Sequence, residues 1–319
     1  MTPLHIGTGK ENYDFSSSEL QSDTLSAALS AIKIQTQGCT DMEAFMDSFI
    51  LSSAYPYLGN HYFLPKPQGK INIAVTDADE YVSRKRIKKL KYIEINLWND
   101  LIAGKTLYVQ AAQIKGAFLL ADSSEANWST PYKAQVNQRV TVPRDFGKEA
   151  EPFFFEWTYF QENTGLFCLL EADNKTQEEI LNLFQQLGEI GLGTDKNIGG
   201  GKFEIETTQL SIPDVDEANA TLLLSLYVPT EKELIRLNLA DSRYELLQRG
   251  GYISGSQDVK FRHLRKKSVY MFNAGSVLAT NTPIRGKIID LRPDWKDEQL
   301  HPVYRSGKPL VVPVKMTNR

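Results

Sequence analysis

Gly191-Leu-Gly-Thr-Asp-Lys-Asn-Ile-Gly-Gly-Gly-Lys202 places five glycines and two lysines within twelve residues. Before it, Ile180, Leu183, Phe184, Leu187 and Ile190 recur at helical spacing, and Thr176 and Glu179 are set for a capping box at the start of that helix. After it, Phe203 and Ile205 alternate with Lys202, Glu204 and Glu206, the period of a half-buried strand. The order is therefore helix, glycine loop, strand. Phosphate-binding loops of nucleotide enzymes run strand, loop, helix, because the phosphate rests on the helix N-terminus. The spacing disagrees as well: a Walker motif ending at Lys202 needs glycine where Lys196 stands and Ser or Thr where Phe203 stands. Nucleotide hydrolysis is excluded. What the loop does suit is close approach, since glycines let backbone N–H groups converge on an anion and let a sugar–phosphate chain come near. A loop whose glycines only relieve turn strain is the alternative.

The chain has 319 residues, enough for two domains, with the 41% apolar and 24% charged content of a globular protein. No apolar run approaches a membrane span, and no basic-then-apolar leader opens the chain. Cys39 and Cys168 are its two cysteines, too few and too far apart for a zinc cluster, and they fit a reducing cytoplasm. The net charge of −3 hides an asymmetry: residues 213–319 hold 17 Lys and Arg against 12 Asp and Glu, a balance of +5, which leaves −8 for residues 1–212. That distribution is compatible with a local anionic ligand.

Working outward from the loop, residues 1–6 allow a very short strand, followed by the glycine turn Gly7-Thr-Gly-Lys10. Leu25, Ala28, Leu29 and Ile32 predict a helix capped by Ser22 or Asp23, and a second helix with a Thr40/Glu43 capping box carries Met42, Phe45, Met46, Phe49 and Ile50. Residues from about 68 to 150 read as an insertion. It contains the basic run Arg84–Lys91 and a polar stretch, 122–150, with Trp128, Tyr132, Phe146, Lys133, Arg139 and Arg144. Phe153–Phe160 and Gly165–Ala172 predict a hairpin. The expected fold class is α+β, with two ferredoxin-like domains. The first, 1–212, is strand–helix–strand–strand–helix–strand with the thumb-like insertion and the glycine-rich loop 191–202. The second, 213–319, is degenerate, with strands at Thr221–Val228, Val269–Phe272 and Val311–Val314, a helix at Thr230–Leu239, the turn Arg249-Gly-Gly and a basic cluster at 260–267.

Chemistry-bearing constellations are sparse. His5, His61, His263 and His301 do not pair at helical ligand spacing, and no nucleophile elbow occurs, so no metal or cofactor is expected. RNA cleavage needs a base near a 2′-hydroxyl, and His5 beside Lys10 is the one candidate pair. What remains is a set of glycine turns each carrying a cation, which can fix a phosphate backbone without reading its sequence, and aromatics that can stack on unpaired bases.

On Pro3-Leu-His-Ile-Gly-Thr-Gly9, Ser22-Asp-Thr-Leu25, Asn137-Gln-Arg-Val-Thr-Val-Pro-Arg-Asp145, Gly191-Leu-Gly-Thr-Asp-Lys196, Arg249-Gly-Gly-Tyr-Ile253, Gly275-Ser-Val277 and His301-Pro-Val-Tyr304, the chain resembles the RAMP superfamily of CRISPR proteins. Within it, the likeness is to the type III-A (Csm) effector subunit that caps the 5′ end of the guide RNA. The resemblance implies a non-catalytic RNA-binding protein of antiviral defence, gripping the 5′ handle of the crRNA. It also implies that the thumb crosses the guide–target RNA duplex and that the subunit bridges a large polymerase-like subunit to a backbone RAMP subunit. The residues expected on RNA are His5, Gly7, Gly9, Lys10, Ser22, Asp23, Arg139, Arg144, Gly191, Gly193, Thr194, Asp195, Lys196, Asn197, Gly199, Gly200, Gly201, Lys202, Arg249, Gly250, Gly251 and Tyr252. Side chains added at Gly199 or Gly200 are expected to obstruct the strand. Two alternatives stay open: an endoribonuclease that processes precursor crRNA with His5 as general base, and an adaptor whose glycine loops only pack against partner subunits.

Overall fold

The computed structural model describes residues 1–7, 16–17, 19–122, 128–143, 147, 149–253, 261, 263–280, 282–295 and 300–316. Gly9, Lys10, Arg144 and Phe146, and the 260 and 262 positions of the basic cluster, lie outside them. The fold is α+β. One antiparallel–parallel sheet of six strands runs in the order Thr164–Phe167, Tyr55–Leu58, His61–Pro65, Tyr92–Glu94, Phe118–Leu119, Ile114–Lys115. A four-stranded sheet in the C-terminal half runs Asn238–Arg243, Val277–Ala279, Ala220–Leu223, Val311–Val314.

The largest core joins the two sheets. Phe63, Leu64, Ile93, Trp98, Ile102 and Leu119 pack in one cluster with Leu222, Leu224 and Val312. Each such side chain is buried, and each contributes about 1.5–3 kcal/mol by leaving water. Trp98 also satisfies its one polar atom, the indole N–H, on the Pro65 carbonyl at 2.9 Å. A second core lies under the glycine loop. There Leu25, Leu29 and Ile32 of the helix Ser22–Gln37 meet Ile180, Leu183 and Leu187 of the helix Asn174–Ile190, with Leu4 and Leu192 beside them.

Several expectations need correction. The helix Asn174–Ile190 begins earlier than predicted. Asp173, not Thr176, caps it, accepting the Thr176 N–H at 2.9 Å. Glu179 is then free to pair with Lys33 of the first helix. Asp41 rather than Thr40 caps the second helix, which is short, Met42–Asp47, because Phe49 already belongs to a strand. The first helix is preceded by Gln21 with no side-chain cap, and Ser22 and Asp23 are buried inside its first turn. Phe203–Glu206 alternates in burial yet joins no strand ladder. Its backbone is held instead by the Phe203 N–H on the Gly188 carbonyl, 3.1 Å, where the chain crosses back over the helix. The predicted first strand is a single bridge, Leu4 with Thr158.

The Phe153–Phe160 hairpin is also re-paired. The aromatic strand Glu151–Phe160 runs in unbroken antiparallel register with Tyr132–Thr141, from Glu151 opposite Thr141 to Phe160 opposite Tyr132. Thr164–Phe167 pairs with Tyr55–Leu58 and Leu170–Ala172 with Phe49–Leu51. The strand 132–141 is wet on both faces for most of its length, so no alternation marked it. Much of the expected insertion is core: Tyr92–Glu94 and Phe118–Leu119 are inner strands of the six-stranded sheet, and Trp128 packs edge-on to Phe63 at 5.9 Å rather than waiting for a base. The basic run lies on the helix Glu80–Lys89, largely exposed, with Arg84 paired to Glu80 one turn away.

Candidate nucleic-acid interface

The glycine loop starts where the helix Asn174–Ile190 stops. Gly191 ends the helix at φ +97°, and its N–H closes on the Leu187 carbonyl. From there the loop is laced to the N-terminal segment. The Thr194 N–H reaches the His5 carbonyl at 3.1 Å, the Gly201 N–H reaches Pro3 at 2.8 Å, and Lys202 donates to the Thr2 hydroxyl at 2.7 Å. Leu192 and Gly200 bond back to Gly201 and Asp195.

The glycines are there for these contacts. A Cβ at Gly201, where φ is +68°, would stand 1.9 Å from the Leu192 carbonyl oxygen, and one at Gly193 2.3 Å from that of His5. At Gly200 it would meet the Trp157 ring at 2.6 Å, so a side chain there strikes protein before it could strike a strand. Gly199 alone of the loop glycines faces open space, at φ +86°. The expectation for Gly200 is therefore corrected and that for Gly199 keeps its geometry.

The same lacing spends most of the loop's donors. Among the described residues, the N–H groups of Asp195, Lys196 and Asn197 at the exposed tip have no acceptor, nor does that of Gly193. The buried Thr194 hydroxyl is unpartnered too. Lys196 stands at the tip and Lys202 closes the loop, both exposed, and Arg139 reaches the tip through Asp195. Arg139 stands on the strand 132–141, stacks its guanidinium 4.2 Å over Phe155 and 5.2 Å from Trp157, and pairs with Asp195. A Cβ at Gly7 would lie 3.9 Å from the Thr194 methyl, so Gly7 adjoins this group. Tip N–H groups with flanking cations can hold phosphate oxygens.

His5 belongs to the same region but not to its surface. The ring is 1% exposed, lies 4.3 Å from Phe155, and its Nδ1 is 2.7 Å from the Glu156 carbonyl. A carbonyl only accepts, so Nδ1–H donates and the ring is fixed as a strut between strand and N-terminus. The Glu156 carboxylate accepts from the Ser16 N–H at 2.9 Å on the other side.

Ser22, Asp23 and Arg249–Tyr252 form a second group, and no hydrogen bond or ion pair among the described residues joins it to the first. Ser22 takes the Leu226 N–H at 3.0 Å and donates its own N–H to the Ser53 hydroxyl, so it ties the two halves together. Asp23 is fully buried and bidentate to Arg249, at 3.0 and 2.9 Å. Arg305 lies 4.0 Å away and donates to the Asp23 backbone carbonyl at 3.2 Å. Burial alone would push the Asp23 carboxyl up, but Arg249, Arg305 and Lys266 together outweigh it and hold it below 3.8. Tyr252 is half exposed, with Arg265 5.0 Å over its ring. Arg305 and Lys266 were not among the expected site residues. Lys266 had a signal, the basic cluster at 260–267, whereas Arg305 had none.

Lys266 is 8% exposed. Burial, helped by Arg305 and Arg249 and opposed by Asp23, brings its amine from 10.5 to about 7. An unfolded lysine keeps its ordinary value, so between about pH 7 and 10.5 the unfolded chain holds the extra proton. The stability tied to this group is thus fully present above 10.5 and is lost as pH falls through about 7. Lys266→Met, with nothing to protonate, is expected to exceed the parent chain in Tm by more near pH 6 than near pH 9. An equal gap at both, by thermal unfolding in phosphate-free buffer, would contradict the buried amine.

Comparison with known proteins agrees with this architecture. Residues 1–204 match the RAMP superfamily and residues 216–314 match the CRISPR Csm4 C-terminal domain. A relative from Thermococcus onnurineus (strain NA1), described as CRISPR system Cms protein Csm4, is 24% identical over 268 residues, 81% of this chain and 83% of its own length. A chain from the crystal structure of a Csm1–Csm4 cassette in complex with cA4 superposes with a TM-score of 0.61 at 19% identity, covering 100% of this chain and 98% of that one. One from the Csm3–Csm4 subcomplex of the type III-A CRISPR-Cas interference complex gives 0.61 at 17% identity, with 99% of both chains covered. With that match running across the N-terminal segment, the ribbon and the glycine loop, the chain belongs to the RAMP superfamily of CRISPR proteins.

Proposed function

We propose that this chain is the non-catalytic RNA-binding subunit of a type III-A CRISPR (Csm) interference complex. In this reading it grips the crRNA 5′ handle and bridges a large polymerase-like subunit to the backbone RAMP filament. The observation that carries the reading is the loop tip: three consecutive N–H groups at Asp195–Asn197 without acceptors among the described residues, beside Lys196, Lys202 and Arg139. Such a tip fixes a backbone phosphate and leaves the bases unread. The bridging role is supported by the Csm1–Csm4 and Csm3–Csm4 assemblies in which the similar folds occur. The ribbon 132–160 is the part suited to the guide–target duplex, with Val136, Val140 and Phe154 exposed along it.

Two expected results test this. Lys196→Ala removes about one released counterion, so guide-RNA occupancy of the reconstituted complex should fall modestly, and mostly at high salt. Incubated alone with repeat RNA, the chain should cleave nothing, and His5→Ala should leave guide processing in the host system unchanged, since the ring is shut away from solvent. Cleavage by the isolated chain that His5→Ala removes would favour the endoribonuclease reading.

A further inference from the structure

Three cationic side chains from three separate elements of the C-terminal half converge on the first turn of the helix Ser22–Gln37. Arg249 ends the strand Leu246–Arg249, Arg305 lies in the strand Tyr304–Ser306, and Lys266 follows the bridge between Tyr252 and Arg265. Asp23 is the one carboxylate that acts on all three among the described residues. Among the described residues the cluster therefore holds two positive charges more than it balances when Lys266 is protonated. Uncompensated charge in a buried place is costly, and proteins relieve it by pairing or by binding a counter-ion.

The donor inventory sharpens the point. Arg249 spends Nε and Nη2 on Asp23 and Thr24, which leaves both hydrogens of Nη1 without an acceptor among the described residues. Arg305 spends Nη1 on the Asp23 carbonyl, and its Nη2 meets no acceptor among the described residues. Lys266 is more than nine-tenths buried, and its amine has no hydrogen-bond acceptor among the described residues. Next to them, the Gly250 and Gly251 N–H groups find no described acceptor either, and the Lys266 N–H on the Gly251 carbonyl, 3.0 Å, keeps that turn against the cluster. The Arg249 side chain is 26% exposed and gives the cluster its opening to solvent.

We propose that Arg249, Arg305 and Lys266 form a binding site for a phosphate group at this junction, separate from the glycine loop. Two forked guanidinium groups and an ammonium, with donors that no described residue takes up, match the oxygens of a tetrahedral anion, and Asp23 holds the guanidinium groups in place from behind. The phosphate can be one unit of a bound RNA strand, in which case the site deepens the proposed RNA-binding reading, or it can belong to a free phosphate or nucleotide. Both sources share the same chemistry.

The test uses the full chain, its Tm recorded with inorganic phosphate and, separately, with chloride at equal ionic strength. Phosphate is expected to raise Tm by about 2 °C or more over chloride, saturably. Lys266→Met should abolish that rise while folding normally, and Lys266→Gln serves if the methionine variant does not fold. Lys105→Ala, in an exposed pair with Asp100 away from both groups, should keep the rise. Guide-RNA occupancy of the reconstituted complex separates the sources. A fall of about tenfold in the Lys266 variant, with a salt slope lower by about one, assigns the site to an RNA phosphate. Unchanged occupancy with the phosphate effect lost assigns it to a free phosphate. No rise over chloride in the parent chain, or a rise retained by both Lys266 variants, overturns the proposal. Because the Tm arm contains no RNA, it stands or falls independently of whether the chain binds crRNA.

Discussion

Valine at position 201 is expected to unseat the glycine loop and lower the stability of the chain by about 3 kcal/mol or more. A Cβ there would lie 1.9 Å from the Leu192 carbonyl oxygen and 2.9 Å from two further Leu192 backbone atoms. Backbone atoms cannot rotate away as a side chain can, and the φ of +68° is itself barred to a β-branched residue. The Gly201 N–H bond to Pro3 would go with it, loosening the strap that ties Thr2, Pro3 and His5 to the loop. Gly199→Ala is the matched comparison. It shares the positive φ but meets nothing within 4 Å, so only the backbone term of about 1 kcal/mol remains. Thermal unfolding of the two variants should separate them by several degrees. Equal losses would mean that the loop is not seated as described.

The other large effect belongs to Asp23. Asp23→Asn keeps the shape but strips the carboxylate from Arg249, Arg305 and Lys266, and removing one partner from a buried charge cluster costs about 3–5 kcal/mol. Asp173→Asn is the contrast, because that exposed cap works nearly as well with an amide. The pH dependence has a definite sign. The folded Asp23 carboxyl sits below its ordinary 3.8, so the stability it brings is fully present above 3.8 and is lost only as pH falls through the lower folded value. The difference between parent and Asn variant should thus widen as pH falls through about 7, because Asp23 raises the Lys266 amine and the variant loses that help, and shrink in strong acid. A difference near zero at neutral pH, by urea unfolding, would contradict the cluster as the tie between the halves.

These two positions mark where the sequence was informative and where it was not. The helix before the loop was plain because its apolar residues share one face, and its start was misplaced because Asp173 and Thr176 both offer a capping oxygen. The loop was visible as glycines, but not what the glycines avoid: the obstacles at 193 and 200 are His5 and Trp157, far off in the chain. The ribbon strand 132–141 escaped notice since a projecting strand has no dry face to write an alternation. Residues 92–119 read as insertion in the sequence because their strands are two or three residues long, too short for a period to show, although Ile93 and Leu119 are wholly buried. Asp23 looked like a helix cap, which local sequence favours. Its real partner, Arg249, is 226 residues away, and no local pattern carries that information.

What lies against the loop tip decides whether this chain grips the crRNA handle. Complexes reconstituted with the parent chain should be purified, and the 5′ ends of the RNA crosslinked to it sequenced. The reading predicts a single repeat-derived 5′ end, crosslinked within Gly191–Lys202, that is lost when the chain is left out. RNA with heterogeneous ends, or a defined end crosslinked elsewhere and retained without this chain, would contradict it.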